Sequence, residues 1–278
     1  MFPGIDGFHW TVDHVLFLSL FFAVALTIAG TVLSAALHTA RDFRTHRAAA
    51  LCWKLNFAEL PQSDRRCRHE LAGRVASRTC DNAFDCRHCK KYAEFAALPA
   101  RVGDRDISRE LGMNYPSDRL YHRGHTWVKV EDDGTLTVGL DELADHLVGN
   151  PDSVALPEIG TQLEPNQTAW RMKKNGNEIY VHSPIEGTVV GIGSHGQGWY
   201  LKIQPRKDPR NPLMLRHLLR GPEVHGWISR EMERLQVQLR DPHTAPSLAD
   251  GGVLISGLMD AIPQADWDSV LGDTFLQA

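Results

Sequence analysis

The longest apolar run of the chain comes near its start. Residues 15–37 form an uncharged stretch of 23 residues that is rich in Leu, Phe, Val and Ala. About 20 such residues span the hydrocarbon core of a bilayer, so this stretch predicts a transmembrane helix. Arg41, Arg44 and Arg47 follow it, whereas the residues before it include neither Lys nor Arg. The positive-inside rule then predicts a protein of the cell inner (cytoplasmic) membrane, with its N-terminus outside and the bulk of the chain in the cytoplasm.

The middle of the chain alternates apolar and polar residues in short runs that are separated by turn residues. This pattern predicts strands at residues 126–130, 136–140, 178–182, 188–192 and 199–203. Residues 141–147 are predicted to form a short helix, which the Asp141 side chain caps. Many short strands with frequent turns favour a flattened barrel or a sandwich.

Helical spacing returns in the last part of the chain, where residues 213–219 and 226–239 are predicted to be helical. The second of these helices carries one apolar stripe, formed by Ile228, Met232, Leu235 and Leu239. We expect this stripe to pack on the β-domain, with docking on a partner as the alternative. Residues 253–262 and 267–276 are two shorter amphipathic segments that are each able to dock.

Cysteine chemistry is confined to one segment, because all five cysteines lie between Cys52 and Cys89. Four of them follow the spacing Cys67-x12-Cys80-x5-Cys86-x2-Cys89. In a reducing cytoplasm this spacing favours a metal site over disulfides, and four thiolates can complete a tetrahedral zinc site. We expect zinc, while an iron–sulfur cluster on the same ligands and free thiols in a small helical segment stay open as alternatives.

Charge is distributed unevenly, although the formal net charge is only −4. Residues 38–101 contain 13 Lys and Arg against 7 Asp and Glu, and residues 240–278 contain one Arg against six Asp. A basic segment beside the membrane suits anionic lipid headgroups, and an acidic tail suits solvent or a partner. No phosphate-binding loop, nucleophile elbow or paired-carboxylate motif occurs, and the histidines follow no motif spacing, so we expect neither an enzyme nor a nucleic-acid partner.

The strand-rich region resembles the H protein of the glycine cleavage system. The resemblance is carried by His125-Thr126-Trp127, Gly134, Thr137-Val138-Gly139, Asp141-Glu142-Leu143-Ala144, Gly149, Leu156-Pro157-Glu158-Ile159-Gly160 and Ser183-Pro184-Ile185-Glu186-Gly187. It covers residues of about 121–205 and implies the lipoyl-like sandwiched barrel of that family.

The resemblance also shows a departure at the modification site. The family's Glu-Ser-Val-Lys-Ala hairpin falls on Lys173-Lys174-Asn175-Gly176-Asn177, so the lipoyl-lysine position is Gly176. Asn-Gly is the preferred filling of a two-residue type I′ turn, so we expect the hairpin without lipoate. Lys173 or Lys174 would become the carrier only if the hairpin slipped. The connection before Trp199 is also shorter than in the family, where that region helps to lodge the lipoyl arm.

These features predict a membrane-anchored α+β protein with one transmembrane helix, a Cys-rich metal knuckle, a lipoyl-like flattened β-barrel or sandwich, and C-terminal helices. The expected parts are an extracytoplasmic N-terminus (1–14), the transmembrane helix (15–37), a basic juxtamembrane segment (38–60), a metal-binding segment (61–101), the H-protein-like domain (115–206) and a helical tail (207–278). We expect an accessory or scaffold subunit of a larger membrane complex, such as a respiratory or photosynthetic one. The alternatives are a redox or sensor protein with a four-cysteine metal site, and a lipoyl carrier modified at Lys173 or Lys174.

Overall fold

The computed structural model describes residues 10–44, 53–55, 57–100, 112–211, 213–239 and 256–276, without the side chains of residues 38–44. The chain divides into two compact units, Met1–Ala49 and Ala50–Ala278. Cys52 lies outside the described residues, as do residues 45–51 and 56 of the predicted juxtamembrane segment and residues 253–255. The exact domain boundaries expected from the sequence therefore stay predictions.

The first unit contains helix α1 (Val12–Arg44), whose apolar part covers the predicted span. Val12–Leu37 is 26 residues long and contains an 18-residue window with a mean hydropathy of 2.4, so it is long and apolar enough to cross a membrane. The Thr27 and Thr31 hydroxyls donate to the Ala23 and Ile28 carbonyls at 2.7 and 2.8 Å, so these polar groups are satisfied within the helix. N-terminal signal sequences share this length and composition, and the orientation of the helix stays a prediction.

The second unit mixes short helices with antiparallel strands. Its helices are α2 (Arg68–Leu71), α3 (Tyr92–Ala96), α4 (Glu142–Val148), α5 (Pro222–Gln238), α6 (Leu258–Ala261) and α7 (Trp267–Thr274). Its strands are β1 (Leu120–Tyr121), β2 (Thr126–Val130), β3 (Leu136–Leu140), β4 (Ser153–Ala155), β5 (Gln162–Leu163), β6 (Thr168–Lys174), β7 (Asn177–His182), β8 (Gly187–Ser194) and β9 (Trp199–Pro205).

The strands form two sheets. One has the order β1-β2-β3-β9-β8-β5 and the other the order β4-β6-β7. All five strands predicted from alternation are present, and Asp141 caps α4 as expected, because its carboxylate accepts a hydrogen bond from the Ala144 amide at 3.0 Å. The sequence pattern did not reveal β1, β4 and β5, which are only two, three and two residues long, and it implied β6 only as the first arm of the Asn-Gly hairpin.

The core lies between the two sheets and beneath the helices. Its largest fully buried side chains include Trp170, Tyr200, Leu136, Leu143, Met172 and Leu201. Trp170 and Tyr200 stack with ring centroids 5.0 Å apart. Gly139 is required at its position because a Cβ there would lie 2.5 Å from the Trp127 ring, far inside van der Waals contact. Close packing of this kind fixes the strand register on which the β6–β7 hairpin depends.

The C-terminal stripe packs on the domain, as expected. Ile228, Leu235 and Leu239 are buried, and Met232 packs against the same core. The predicted helix at residues 213–219 is wrong, because these residues form turns. Leu219 and Tyr121 instead exchange backbone hydrogen bonds of 2.7 and 3.0 Å, so pairing with the edge strand β1 overrides the local helical pattern.

Candidate functional site

The tip of the β6–β7 hairpin is where the sequence predicts a lost modification site. Lys174 and Asn177 close the ladder opposite each other, and Asn175 and Gly176 form the two-residue turn between them. Both turn residues adopt left-handed conformations, with φ of 51° and 82°. These values match the type I′ turn expected for Asn-Gly. A Cβ built on Gly176 would have no atom within 4 Å, so the tip is open to solvent at the family's lysine position.

The two lysines next to the tip point to opposite faces of β6, because successive side chains of a strand alternate. Lys173 is exposed and lies opposite Glu178 in the ladder. Lys174 is buried, and its Nζ lies 2.7 Å from Asp260 Oδ2 and 3.0 Å from the Asn150 carbonyl oxygen. Neither lysine therefore occupies the tip, and Lys174 is held in place by contacts with its own chain.

A distant segment of the chain, residues 257–260, binds beside the tip, and we call it the tip-binding segment. The Asn175 side chain donates to the Met259 carbonyl at 3.1 Å and to Asp260 Oδ1 at 3.0 Å. Hydrogen bonds from Lys174 and Asn175 lower the pKa of the Asp260 carboxyl. Met259 is fully buried, and the Gly257 amide donates to the His146 carbonyl at 2.8 Å. The segment thus joins the hairpin to the last turn of α4.

The β8–β9 connection is short, as the sequence indicates. Ser194 and Trp199 pair across the turn, and only residues 195–198 separate them. The His195 ring lies 2.9 Å from the Tyr200 hydroxyl, and its side chain is partly buried. The shortened loop therefore forms a compact hairpin.

A buried ionic cluster lies beneath the start of β2. His125 is completely buried, and its Nδ1 lies 2.8 Å from Asp141 Oδ2. On its other side Nε2 lies 3.7 Å from Glu231, which in turn pairs with Arg234. Burial opposes the charged imidazolium, but the Asp141 and Glu231 carboxylates outweigh it and raise the pKa of His125 to about 9. This histidine is therefore a structural cation that links the β-domain to α5.

A second group of buried histidines stays neutral. His122 Nε2 donates to Asn166 Oδ1 at 2.8 Å, and His217 Nε2 lies 2.6 Å from the Pro184 carbonyl oxygen. Burial lowers the pKa of His122 to about 3 and that of His217 to about 4, while nearby His182 shifts in the same direction. The histidines follow no motif spacing in the sequence, and in the structure His122, His182 and His217 each contribute to packing.

The four predicted ligands Cys67, Cys80, Cys86 and Cys89 line one pocket. Burial raises the pKa of the Cys67 thiol and raises that of Cys86 to about 11. Within the described part of the chain, however, no three or more His, Cys, Asp or Glu side chains are grouped closely enough to hold a metal ion. The predicted coordinated knuckle is therefore not formed as these side chains stand. Neutral thiols are weak hydrogen-bonding groups, so packing sets their positions.

A buried ion pair that the sequence did not reveal joins the cysteine segment to α5. Arg68 pairs with Glu223 and also donates to the Arg216 carbonyl, and both charged side chains are buried. Arg74 adds a longer contact of 3.4 Å to the same carboxylate. Arg68 and Glu223 are 155 residues apart in sequence, so no local pattern could have paired them.

Comparison with known proteins gives one consistent family. The family model described as "Glycine cleavage H-protein" matches residues 119–217. The chain is 32% identical to the glycine cleavage system H protein of Neisseria meningitidis serogroup C (strain 053442) over 131 residues, which cover 42% of this chain and 99% of that protein. It is also 32% identical to the corresponding protein of Acinetobacter baumannii (strain ATCC 17978) over 106 residues, which cover 34% of this chain and 85% of that protein. A crystal structure of the H protein from Mycobacterium marinum is similar at 22% identity and a TM-score of 0.35, covering 41% of this chain and 99% of that one.

Proposed function

Because this chain belongs to the glycine cleavage H-protein family, we propose that it uses the family's fold as a non-enzymatic, membrane-anchored scaffold and carries no lipoyl group. Its partners in this proposal are the inner membrane and the other subunits of a larger membrane complex, and nucleic acid is not among them. Electron-transfer complexes of respiration or photosynthesis are the class of host that we would test first.

The observation that carries the proposal is the hairpin tip. The position that the family's pattern gives to the lipoyl-lysine is Gly176, in a turn that suits Asn-Gly and strains other residues. Lys174, the nearer of the two lysines, is buried and held by Asp260 and Asn150. A swinging arm needs a lysine that projects freely from the tip, and the described contacts favour a fixed hairpin instead.

The additions around the family domain support a scaffold role. Relatives such as the N. meningitidis protein match only 42% of this chain, and the family model ends at residue 217. Helix α1 offers a membrane anchor before the domain, and α5 and the tip-binding segment pack onto the domain after it. The basic residues that follow the apolar part of α1 suit the cytoplasmic leaflet. A fold that keeps its core, gains an anchor and loses its reactive lysine is suited to holding partners.

The first experiment tests the missing modification directly. The full-length chain in detergent is incubated with a lipoate–protein ligase, lipoate and ATP, and its intact mass is measured, with the N. meningitidis H protein as the positive control. We expect the control to gain a lipoyl group and this chain to keep its mass. Lipoylation that disappears in Lys173→Arg or Lys174→Arg would overturn the proposal.

Gly176→Lys is the matched variant for this assay. No atom lies within 4 Å of the added Cβ, although the left-handed backbone costs roughly 1–2 kcal/mol with a side chain. Modification of this variant alone would show that the domain is otherwise recognised and that the lysine is what it lacks.

The second experiment tests the subunit role. The tagged chain is extracted from native membranes in mild detergent, and the size and composition of the recovered particle are measured. The proposal predicts an assembly with fixed partners in constant ratio. A lone chain of 31.1 kDa would contradict it.

A further inference from the structure

A cavity of about 560 Å³ lies between the residues around β1, the helix α4 and the β8–β9 turn. Pockets that bind small molecules usually measure roughly 300–1,000 Å³, so this cavity has the size of a ligand site. It shares no residue with the hairpin turn or with the cysteine pocket. The polar and aromatic groups that matter for its chemistry are Arg119, Trp127, Glu142, Asp145, His146 and His195.

One part of the cavity wall is a guanidinium group that is held in place by an aromatic ring. The Arg119 guanidinium carbon lies 4.0 Å from the centre of the Trp127 ring. Trp127 is buried, and its ring packs so closely on Gly139 that a Cβ there would lie 2.5 Å from it. Arg119 Nε is buried and has no hydrogen-bond partner among the described residues. A fixed guanidinium with an unused donor is suited to binding a carboxylate.

The acidic part of the wall comes from α4. Glu142 and Asp145 are three residues apart, so their side chains lie on the same face of the helix. The Glu142 carboxylate accepts a hydrogen bond from the Asn114 amide, which helps to orient it. Asp145 Oδ1 lies 3.8 Å from His195 Nδ1, which is too long for a hydrogen bond, and partial burial raises the pKa of the Asp145 carboxyl. A ligand ammonium group beside Asp145 would compensate this burial.

A second buried polar atom without a partner lies on a side chain of this wall. His146 Nε2 lies 3.6 Å from Glu142 Oε1, whereas His146 Nδ1 is buried and makes no hydrogen bond within the part of the chain that the structure describes. Burying a polar atom without a partner is unfavourable, and a ligand that bonds to it removes this cost. Arg119 and His146 thus both offer unused hydrogen-bonding capacity at this cavity.

The charges of the wall define the ligand that would complement them. Asp141 also lines the cavity, but its charge is compensated by the His125 imidazolium at 2.8 Å. With the lining histidines counted as neutral, one positive and two negative groups remain, namely Arg119, Glu142 and Asp145. A complementary molecule carries one carboxylate and two ammonium groups. Amino acids with a basic side chain have this set of charges and are small enough for the cavity.

We propose that this cavity binds a free basic amino acid such as lysine, with its carboxylate on Arg119 and its two ammonium groups on Glu142 and Asp145. Binding is non-covalent, and no bond in the ligand is broken. Ser256 also lines the cavity and immediately precedes the tip-binding segment, so the ligand should stabilise that segment. The site depends neither on the scaffold role nor on the absence of lipoate.

The test is isothermal titration calorimetry of the full-length chain in a non-ionic detergent. The probes are L-lysine, cadaverine, which lacks the carboxylate, and 6-aminohexanoate, which lacks the α-amino group. We expect saturable binding of L-lysine, and binding about tenfold weaker or more for each analogue, because each leaves one charged group of the wall without a partner. No saturable binding of L-lysine at millimolar concentration would overturn the proposal, as would an analogue that binds equally well.

Variants assign the binding to this cavity. Asp145→Asn should weaken L-lysine binding about tenfold or more, and Arg119→Met should remove the preference for L-lysine over cadaverine. Glu158→Gln is the matched control, since it removes the same charge at an exposed position outside the cavity, and it should bind like wild type. Equal affinity of wild type and Asp145→Asn would contradict the assignment. If these variants do not fold, the three probes on the wild-type chain still decide, and lipoylation is measured independently of all of them.

Discussion

The buried cluster around His125 should make the protein less stable as the pH rises into the alkaline range, and one substitution tests this. Two carboxylates contact the ring, at 2.8 Å from Asp141 and 3.7 Å from Glu231, and raise its pKa to about 9 against the opposing effect of burial. The ordinary pKa of histidine is about 6.5, so the folded chain holds a proton that the unfolded chain has lost. The stability from this group is therefore full below about pH 6.5 and is lost as the pH rises through about 9.

The magnitude follows from the two pKa values. The shift of about 2.5 units corresponds to roughly 3 kcal/mol of stability at acid pH. Between about pH 7.5 and about pH 9.5 the linkage relation gives a loss of roughly 2 kcal/mol from His125. This window lies above the pH at which the neutral buried histidines affect folding. Thiols of the unfolded chain, with an ordinary pKa of about 8.5, also titrate within it, so the quantity to measure is the difference between wild type and a His125 variant.

The assay is urea unfolding of the full-length chain in detergent, followed by tryptophan fluorescence at the two ends of this window. His125→Asn removes the titrating group and keeps a residue that tolerates the left-handed backbone at φ 58°. We expect wild type to lose roughly 2 kcal/mol more than the variant on going to high pH. The variant should also be less stable throughout by roughly 3–5 kcal/mol, because the buried Asp141 carboxylate loses its cation and Glu231 keeps only its pair with Arg234.

His195→Asn is the control, since it removes a histidine of the β8–β9 turn and leaves the contacts of His125 with Asp141 and Glu231 in place, and it should keep the wild-type pH slope. Equal slopes for wild type and His125→Asn would refute the reasoning. If the variant is too unstable to measure, the NMR titration of the His125 ring in the wild-type chain reports its pKa directly. A midpoint near 6.5 would refute it equally.

Three further predictions follow from the same structure. Stability should fall as the pH drops below about 6.5, because the unfolded chain then binds protons that the buried His122 and His217 side chains bind only at about pH 3–4. An acid unfolding series that shows no such fall would contradict this prediction. Arg68→Met should destabilise the chain by roughly 3–5 kcal/mol in urea unfolding, since it leaves the buried Glu223 carboxylate with only the longer contact to Arg74. A change below about 1 kcal/mol would contradict this prediction. Asp260→Asn should increase hydrogen exchange in α6 with little change in the midpoint of thermal unfolding, and unchanged exchange would exclude a role of Asp260 in holding the tip-binding segment.

The Arg68 prediction has a matched control in Lys91→Met. Lys91 forms an exposed pair with Glu94 at 3.0 Å, with more than half of each side chain accessible. Exposed pairs of this kind contribute roughly 0–1 kcal/mol. A loss of similar size in both variants would show that burial of Arg68 and Glu223 is not what makes their pair important.

Local features of the chain were predictable because their causes are local. The strand β2 follows from alternation, the capped start of α4 follows from Asp141, and the turn at Asn175 and Gly176 follows from the positive φ that both positions need. The failed helix at residues 213–219 shows the limit of this reasoning. Those residues have a helical pattern, but pairing of Leu219 with Tyr121 determines their conformation.

The contacts that decide the candidate site were not predictable from sequence patterns. Asn175 and Asp260 are 85 residues apart, so no spacing pattern in the sequence indicates that they are partners. The charge of His125 likewise depends on Glu231, which comes from α5. The spacing of the four cysteines did indicate that they lie near one another. The distances between their side chains, however, depend on packing that the spacing does not encode.

The central claim is that this H-protein fold works without a lipoyl arm, and the intact mass of the chain recovered from its native membranes tests it most directly. The account predicts the mass of the unmodified sequence, with peptides that contain Lys173 and Lys174 free of lipoate. A lipoyl group on either lysine in the native chain would contradict it and would return this protein to the carriers of its family.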